Sequence, residues 1–332
     1  MEFTRTTRSE ILRILKENER DYVSGAVLSQ RLAISRPGVW KHIRKLKAMG
    51  YDIRSLSRRG YRLVDVPDSL AYEEIVPNLG TKWLAHSYYH LRTIGSTNDY
   101  ALRLAADGAP HGTLVVAEEQ TKGRGRLQRE WVSYPCLGIY LSILLRNPLP
   151  LRVAPQSSYV GSLALVKALR EEFGIAASIK WPNDVLINGR KAAGILTEIQ
   201  SDQELSRFSV MGIGINVNHS KEEIRGPFRY PATSIAIELG YTVKRQRVLL
   251  QFLSQFEKEY ERFQQNGISD LIAEIEAHSG ILGKIITVVS GNREIVGKAQ
   301  GFTEEGALLL FGEDGSQETV WAGDVLRVEG AV

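Results

Sequence analysis

The sequence predicts an α+β protein of several domains: a short helical head, a larger body of mixed strands and helices, and a strand-rich end. Three observations carry this. The 332 residues exceed what a single core usually fills. Charge is divided unevenly, with 15 Lys plus Arg against 6 Asp plus Glu in residues 1–64 and 27 against 32 in the remainder. The apolar pattern also changes, from helical spacing before residue 64 to mixed strand and helix runs from about residue 83. From Ile281 it becomes strand-like and is broken by glycines.

The head, residues 1–64, opens on Thr7-Arg8-Ser9-Glu10, which has the spacing of a capping box. Ile11, Leu12 and Leu15 follow on one helical face. A second helix is expected over Gly25–Leu32 and a third from Ser35, an N-cap followed by Pro37 in the first turn, to about Met49. Val39, Ile43 and Leu46 point inward on the third; Lys41, Arg44 and Lys45 point away. Tyr51–Leu56 and Tyr61–Val64 read as a hairpin with Arg58 and Arg59 at its tip. Three short helices with a tight second turn and a hairpin describe a winged helix-turn-helix. Its basic surface, Arg36, Lys41, Arg44, Lys45, Arg58 and Arg59, suits double-stranded DNA through phosphate contacts. A basic module that binds protein instead is the alternative. Trp40 either contacts a duplex or packs against the wing. Residues 65–82 are expected as linker, because 65–72 hold a proline and two aspartates and no periodic apolar pattern.

The body, 83–280, is expected to hold strands over Leu114–Ala117, Leu137–Leu145, Ser178–Trp181, Val185–Asn188, Ala193–Gln200 and Ser209–Val217. Helices are expected over Tyr159–Phe173 and, in one long stretch, from Lys244 to His278. Asn188-Gly189 is a hairpin-turn signal. Residues 281–332 read as a small β-barrel. The lone cysteine, Cys136, excludes an intrachain disulfide and a cysteine zinc site, and is expected as a small buried hydrophobe. No run is apolar enough to span a bilayer and the N-terminus has no apolar signal core, so a cytoplasmic protein with no membrane partner is expected.

Three segments carry chemistry. Gln120-Thr-Lys-Gly-Arg-Gly-Arg-Leu-Gln-Arg-Glu-Trp131 alternates glycine, whose backbone can approach a ligand, with arginine, whose fork suits phosphate or carboxylate. It is neither the Rossmann fingerprint nor a Walker loop, and an exposed basic loop is the plain alternative. Lys180-Trp-Pro-Asn-Asp184 is followed by Gly189-Arg-Lys-Ala-Ala-Gly-Ile-Leu196, where Lys191 can edge a cleft or be a surface lysine. Gly212-Ile-Gly-Ile-Asn216 is a strand with two glycines on one face, a mark of close approach.

With Gly95-Ser-Thr-Asn98 these motifs stand in the order found in the biotin–protein ligases, and with the winged head the whole chain resembles the bifunctional subgroup that is both biotin ligase and biotin operon repressor. The resemblance implies a central domain similar to the mixed sheet of a class II aminoacyl-tRNA synthetase and an SH3-like C-terminal domain. It implies activation of biotin by ATP to biotinyl-5′-AMP, with Mg²⁺ shared by the phosphates, and transfer to a lysine of the biotin carboxyl carrier protein of a carboxylase. No tightly bound prosthetic group is implied. By position, Ser96, Thr97 and Asn98 would contact biotin; Gln120, Arg124, Gly125 and Arg126 would hold biotin and the adenylate phosphate. Lys191 would meet the biotin carboxylate, and with Arg124 and Arg126 form the catalytic set. Gly194, Gly212, Gly214 and Asn216 would border the pocket, and Asp184 would be a metal or ATP contact. Gln128 stands where many members have a further glycine. A homodimer favoured by biotinyl-AMP is expected, because one head reads one half-site. Three other readings remain at this stage: a repressor with an inactive body, a ligase for lipoate or another acid, and a synthetase-like RNA enzyme. A winged head argues against the last.

Overall fold

The computed structural model describes residues 6–146, 150, 153–202, 205–224 and 230–328. The first five residues of the expected head and the last four of the expected barrel lie outside the described residues. The chain divides into two compact units, Met1–Leu79 and Gly80–Val332.

In the first unit, α1 (Thr7–Glu17), α2 (Gly25–Leu32) and α3 (Arg36–Ala48) precede a hairpin of β1 (Asp52–Leu56) and β2 (Gly60–Asp65). The cap of α1 is Thr6 and not Thr7: its side chain accepts from Ser9 N at 3.1 Å. Glu10 pairs with Arg13, so the N-cap lies one residue before the expected one. Ser24 and Ser35 cap α2 and α3 in the same way. Ala33, in the left-handed region at φ 51°, makes the tight turn between them. Ile11, Leu12, Ile14, Leu15, Leu28, Val39, Ile43 and Leu46 form the core, closed by Tyr51, Ile53 and Leu63 of the hairpin. Tyr61 and Val23 exchange backbone hydrogen bonds at 2.8 and 2.9 Å, which ties the wing to the segment before α2.

The linker expected over 65–82 is, as far as Leu79, part of this unit. A short helix α4 (Tyr72–Ile75) forms here, and Leu70, Ala71, Ile75 and Val76 in and beside it are buried. Glu73 pairs with Arg8 at 2.7 Å, and Glu74 receives Lys16 at 2.9 Å and the Tyr51 hydroxyl at 2.7 Å. Two adjacent glutamates in a four-residue helix have no apolar period, so the segment resembles solvated linker in sequence.

The second unit is built on a seven-stranded mixed sheet. In chain order come β3 (Tyr88–Ile94), α5 (Thr97–Ala106), β4 (Leu114–Gln120), β5 (Gly138–Leu145), α6 (Ser157–Phe173), β6 (Ala177–Lys180), β7 (Asp184–Ile187), β8 (Arg190–Asp202) and β9 (Leu205–Asn216). The strand order is β3-β4-β5-β9-β8-β7-β6, with β3 and β4 parallel across α5 and the other pairs antiparallel. Asn188 and Gly189, both left-handed at φ 49° and 73°, make the two-residue turn between β7 and β8. After α7 (Ile235–Leu239) the expected single helix is two, α8 (Arg245–Asn266) and α9 (Ser269–Ala277), separated at Gly267, whose φ is 76°. Strands β10 (Ile285–Ser290), β11 (Arg293–Phe302), β12 (Leu308–Phe311), β13 (Gln317–Val320) and β14 (Asp324–Val328) form an SH3-like antiparallel sheet in the order β13-β12-β11-β10-β14. It docks on the body where Tyr159 donates to Gly306 O at 2.6 Å and Glu276 accepts from Phe302 N at 2.9 Å. Cys136 is exposed and not buried, in a loop with φ 60°.

Alternation along β8 and β9 decides where a site can form. Met211 and Ile195 lie against α6 at Gly161, while Gly212 faces the N-terminus of α5 and Gly214 faces the loop after β4. That second face is walled by loops and carries the chemistry.

Candidate active site

At the start of α5, Thr97 donates through its amide and hydroxyl to Gln120 Oε1 at 2.9 and 3.0 Å, and Gln120 Nε2 donates to Ser133 at 3.1 Å. Ser142 Oγ lies 2.8 Å from Thr97 Oγ1 and 2.6 Å from Asn98 Oδ1. Asn98 donates to Glu198 Oε2 at 2.6 Å. These side chains are buried or nearly so, and each is held by another, so the network has one geometry. Glycine at 212 is required because a Cβ there would overlap the Asn98 amide. Glycine at 214 is required because a Cβ would overlap the Trp131 indole. The two glycines therefore admit the protein's own side chains, and Trp131 also packs over Gly194.

The loop after β4 projects three arginines. Arg124 grips Asp99 with both terminal nitrogens, at 2.9 and 2.5 Å, and reaches Glu198 at 3.1 Å. These bonds raise the Arg124 pKa further and hold the Asp99 carboxyl below its ordinary range. Arg126 lies 3.1 Å from Asp324 and donates to Gly323 O at 3.0 Å; Arg129 pairs with the other oxygen of Asp324. The loop is thus tied to the start of β14. Its tip, Leu127 and Gln128, is left-handed at φ 53° and 57°, and Leu127 is 73% exposed.

Asp184, at the start of β7, lies 2.6 Å from Lys191 and 3.3 Å from Lys180. Burial alone would raise its carboxyl; the two ammonium groups outweigh burial and hold it below the usual carboxylate range. Burial lowers Lys180 against the pull of Asp184. Both oxygens of Asp184, expected as a metal or ATP contact, are engaged by lysines in this arrangement. Among the described residues no three His, Cys, Asp or Glu side chains are grouped to hold a metal ion.

These elements enclose one cavity of about 600 Å³, and all the body residues given a binding or catalytic role in the sequence, from Ser96 to Asn216, line it. Asn216 donates to Thr233 O at 3.1 Å. The cavity wall also carries Lys180, Arg129, Trp131, Glu130, His219, Glu223, Tyr230 and Asp324. Lys180 stands 4.6 Å from the Tyr230 ring centroid and Lys191 5.4 Å from that of Trp131. Fixed cations beside an apolar slot suit a ligand with an aliphatic or heterocyclic body and an anionic end. In the first unit, Arg36, Lys41, Arg44 and Lys45 are exposed on α3, and Arg58 and Arg59 are exposed at the wing tip.

The bifunctional ligase/repressor BirA of Bacillus subtilis (strain 168) is 36% identical over 321 residues, 96% of this chain and 98% of that protein. The chain belongs to this bifunctional ligase/repressor family. Residues 91–216 match the biotin/lipoate A/B protein ligase family, 7–62 an HTH domain, and 281–328 the biotin protein ligase C terminal domain. The ligase/repressor BirA of Escherichia coli (strain K12) is 28% identical over 290 residues, covering 87% of this chain and 88% of that protein. A solved biotin protein ligase from Aquifex aeolicus in complex with biotin and ATP is 32% identical with a TM-score of 0.63, covering 72% of this chain and 97% of that one.

The sequence motifs of this ligase/repressor left out several cavity residues. Glu198 shares the strand face of Gly194 and Leu196, so period-two counting along β8 reaches it. Asp99 directly follows Asn98. Asp324 sits about two hundred residues from the arginines it holds, and nothing local in the sequence signals it.

Proposed function

We propose that the chain joins biotin to ATP, forming biotinyl-5′-AMP and releasing pyrophosphate, and then passes the biotinyl group to a lysine of a biotin carboxyl carrier protein, while its head represses biotin genes by binding operator DNA. The observation that carries the ligase reading is the convergence on one cavity of Lys191, Arg124, Arg126 and the hydroxyl–amide network of Thr97, Asn98 and Gln120.

The chemistry follows from charge. A biotin carboxylate oxygen must attack the α-phosphorus of ATP, and both partners are anionic. Lys191 would meet the carboxylate, and Arg124 and Arg126 the α-phosphate, where negative charge grows as pyrophosphate leaves. Each cation is held in place by a carboxylate: Lys191 by Asp184, Arg124 by Asp99 and Glu198, Arg126 by Asp324. A ligand anion therefore meets oriented forks and exchanges with carboxylates already there. Thr97, Asn98 and Gln120 would face the polar ring of biotin and Trp131 its apolar surfaces. Mg²⁺ would travel with the nucleotide phosphates, and no step here is assigned to it. In the second half, the carrier lysine's amine attacks the acyl carbon, AMP leaves with the bonding pair, and the amine loses a proton.

Biotin-dependent ATP–pyrophosphate exchange, followed by biotinylation of a carrier domain, tests this. Lys191→Ala should lower exchange about 10²- to 10³-fold, the scale of a lost charge-stabilising donor. Exchange driven by lipoate and not by biotin would overturn the substrate. The pairing of half-sites supports a homodimer in the repressing form, favoured by biotinyl-AMP, which sedimentation with and without biotin and ATP tests. Among the described residues no helix is long and apolar enough to cross a membrane. A cytoplasmic location accords with the lone cysteine and with operator binding.

A further inference from the structure

The face that α3 turns to solvent holds a feature that phosphate binding does not explain. Trp40 is 52% exposed in the middle of it. The indole is no part of the core that Tyr51, Ile53 and Leu63 of the hairpin close. Trp40 instead forms a shallow recess with Lys41, Arg44, Lys45 and Ala48. The Arg44 guanidinium carbon stands 4.8 Å from the centre of the indole ring. The sequence of α3, Arg-Pro-Gly-Val-Trp-Lys-His-Ile-Arg-Lys-Leu-Lys-Ala, contains no acidic residue, so nothing on this helix neutralises its cations.

A large apolar ring half-exposed among cations suits a partner that is anionic overall and apolar in places. The major groove of double-stranded DNA has this chemistry: phosphates on both rims, and a methyl group on every thymine at the floor. The deep, narrow major groove of an RNA helix does not admit the face of an α-helix. The cation–π contact also restrains Arg44, whose fork would otherwise sample many rotamers. A restrained fork suits the two adjacent acceptors of guanine.

We propose that Trp40 reads sequence: its ring edge packs on a thymine methyl in the major groove, and its face positions Arg44 for a neighbouring guanine. Lys41, Lys45, Arg58 and Arg59 supply affinity that does not depend on sequence. The proposal rests on the head binding duplex DNA, and its test separates the two.

The full-length protein, with biotin and MgATP present, is used to select bound duplexes from a random library. Affinities of wild type, Trp40→Ala and Trp40→Phe are then measured at one salt concentration on the selected duplex, on the same duplex with thymines replaced singly by deoxyuridine, and on a shuffled duplex. The expected result is a loss for Trp40→Ala of about 5- to 100-fold on the selected duplex and less than about threefold on the shuffled one. Trp40→Phe should keep part of the preference. Removing one thymine methyl should weaken the wild type and leave Trp40→Ala unchanged. Equal losses on selected and shuffled duplexes, or a wild type indifferent to every deoxyuridine, would overturn the role of Trp40 and leave DNA binding standing. Binding to no duplex would overturn both, and duplex binding that enriches no sequence would overturn the role of Trp40 alone. Unchanged thermal melting of the variants shows that the core under α3 is intact.

Discussion

His219 shows how a single side chain in the cavity wall records its surroundings. It is 2% exposed, and burial pushes its imidazole down to about 4, with Glu223 opposing and Arg245 assisting. Its Nε2 lies 3.3 Å from the Tyr140 hydroxyl, which in turn donates to Tyr134 O. The folded state therefore resists a proton that the unfolded chain accepts near 6.5. Between about pH 6.5 and 4 the unfolded state binds more protons, so stability should fall as pH falls through that window, by up to about 3 kcal/mol. Thermal melts across the window should steepen for wild type and flatten for His219→Gln; equal slopes would remove His219 as the cause. Gly214 offers a second test at this scale. A Cβ there would displace Trp131, and overpacking of this kind costs about 1–3 kcal/mol. Gly214→Ala should melt a few degrees lower and lose most biotin-dependent pyrophosphate exchange, and wild-type values in both would show that the indole does not depend on that gap. The two glycines were legible in sequence as a close approach. What approaches them was not, because Asn98 and Trp131 come from elements that only the sheet brings over β9.

Between elements, two carboxylates join segments that are distant in sequence. Asp324 at the start of β14 receives Arg126 and Arg129 of the loop after β4, so the small C-terminal sheet helps to set the loop's position. Asp324→Asn should weaken both ion pairs, increase tryptic cleavage at the arginines of the loop and slow pyrophosphate exchange; a cleavage pattern like that of wild type would show that the loop is held by other means. Glu74 does the same for α4. Its carboxylate is buried between Lys16 and Tyr51, and replacing it leaves those partners unsatisfied. Glu74→Gln should cost the first unit about 2 kcal/mol. The long, periodic elements were legible to within a few residues: α2, α6 and the strands from β5 to β9 follow from apolar spacing and the Asn188-Gly189 turn. The split between α8 and α9 was missed because the apolar spacing continues on both sides of Gly267. The strand β3 and helix α5 were missed because β3 is only half-buried, so its apolar positions do not alternate cleanly. Helix α4 was missed because its anchors are charges.

For the molecule as a whole, the boundary between the units decides what survives truncation. Charge and composition placed the end of the head at residue 64, but the first compact unit continues to Leu79. Leu70, Ala71, Ile75 and Val76 are buried, and Glu73 and Glu74 take their cations from α1. A chain beginning at residue 65 would keep these residues and lose α1 and Tyr51, which hold Glu73 and Glu74 in place. Each large apolar side chain that this exposes forfeits about 1.5–3 kcal/mol of burial and adds to a sticky stub. A chain beginning at Gly80 removes the stub entirely. The carboxylate of Glu257 accepts from the amides of Lys82, Trp83 and Leu84 at 2.8–3.0 Å, so the new terminus remains anchored on the body. The Aquifex structure is covered almost completely by 72% of this chain, so in that relative a ligase stands at about the length of the second unit. The chain of residues 80–332 should therefore be monodisperse in light scattering and retain biotin-dependent pyrophosphate exchange, while 65–332 should aggregate at the same concentration. Both should lose operator binding, because α3 and the wing are gone. Equal dispersity of the two truncated chains would show that α4 does not depend on the head, and exchange lost from 80–332 but present in the full chain would show that the ligase needs the unit that reads DNA.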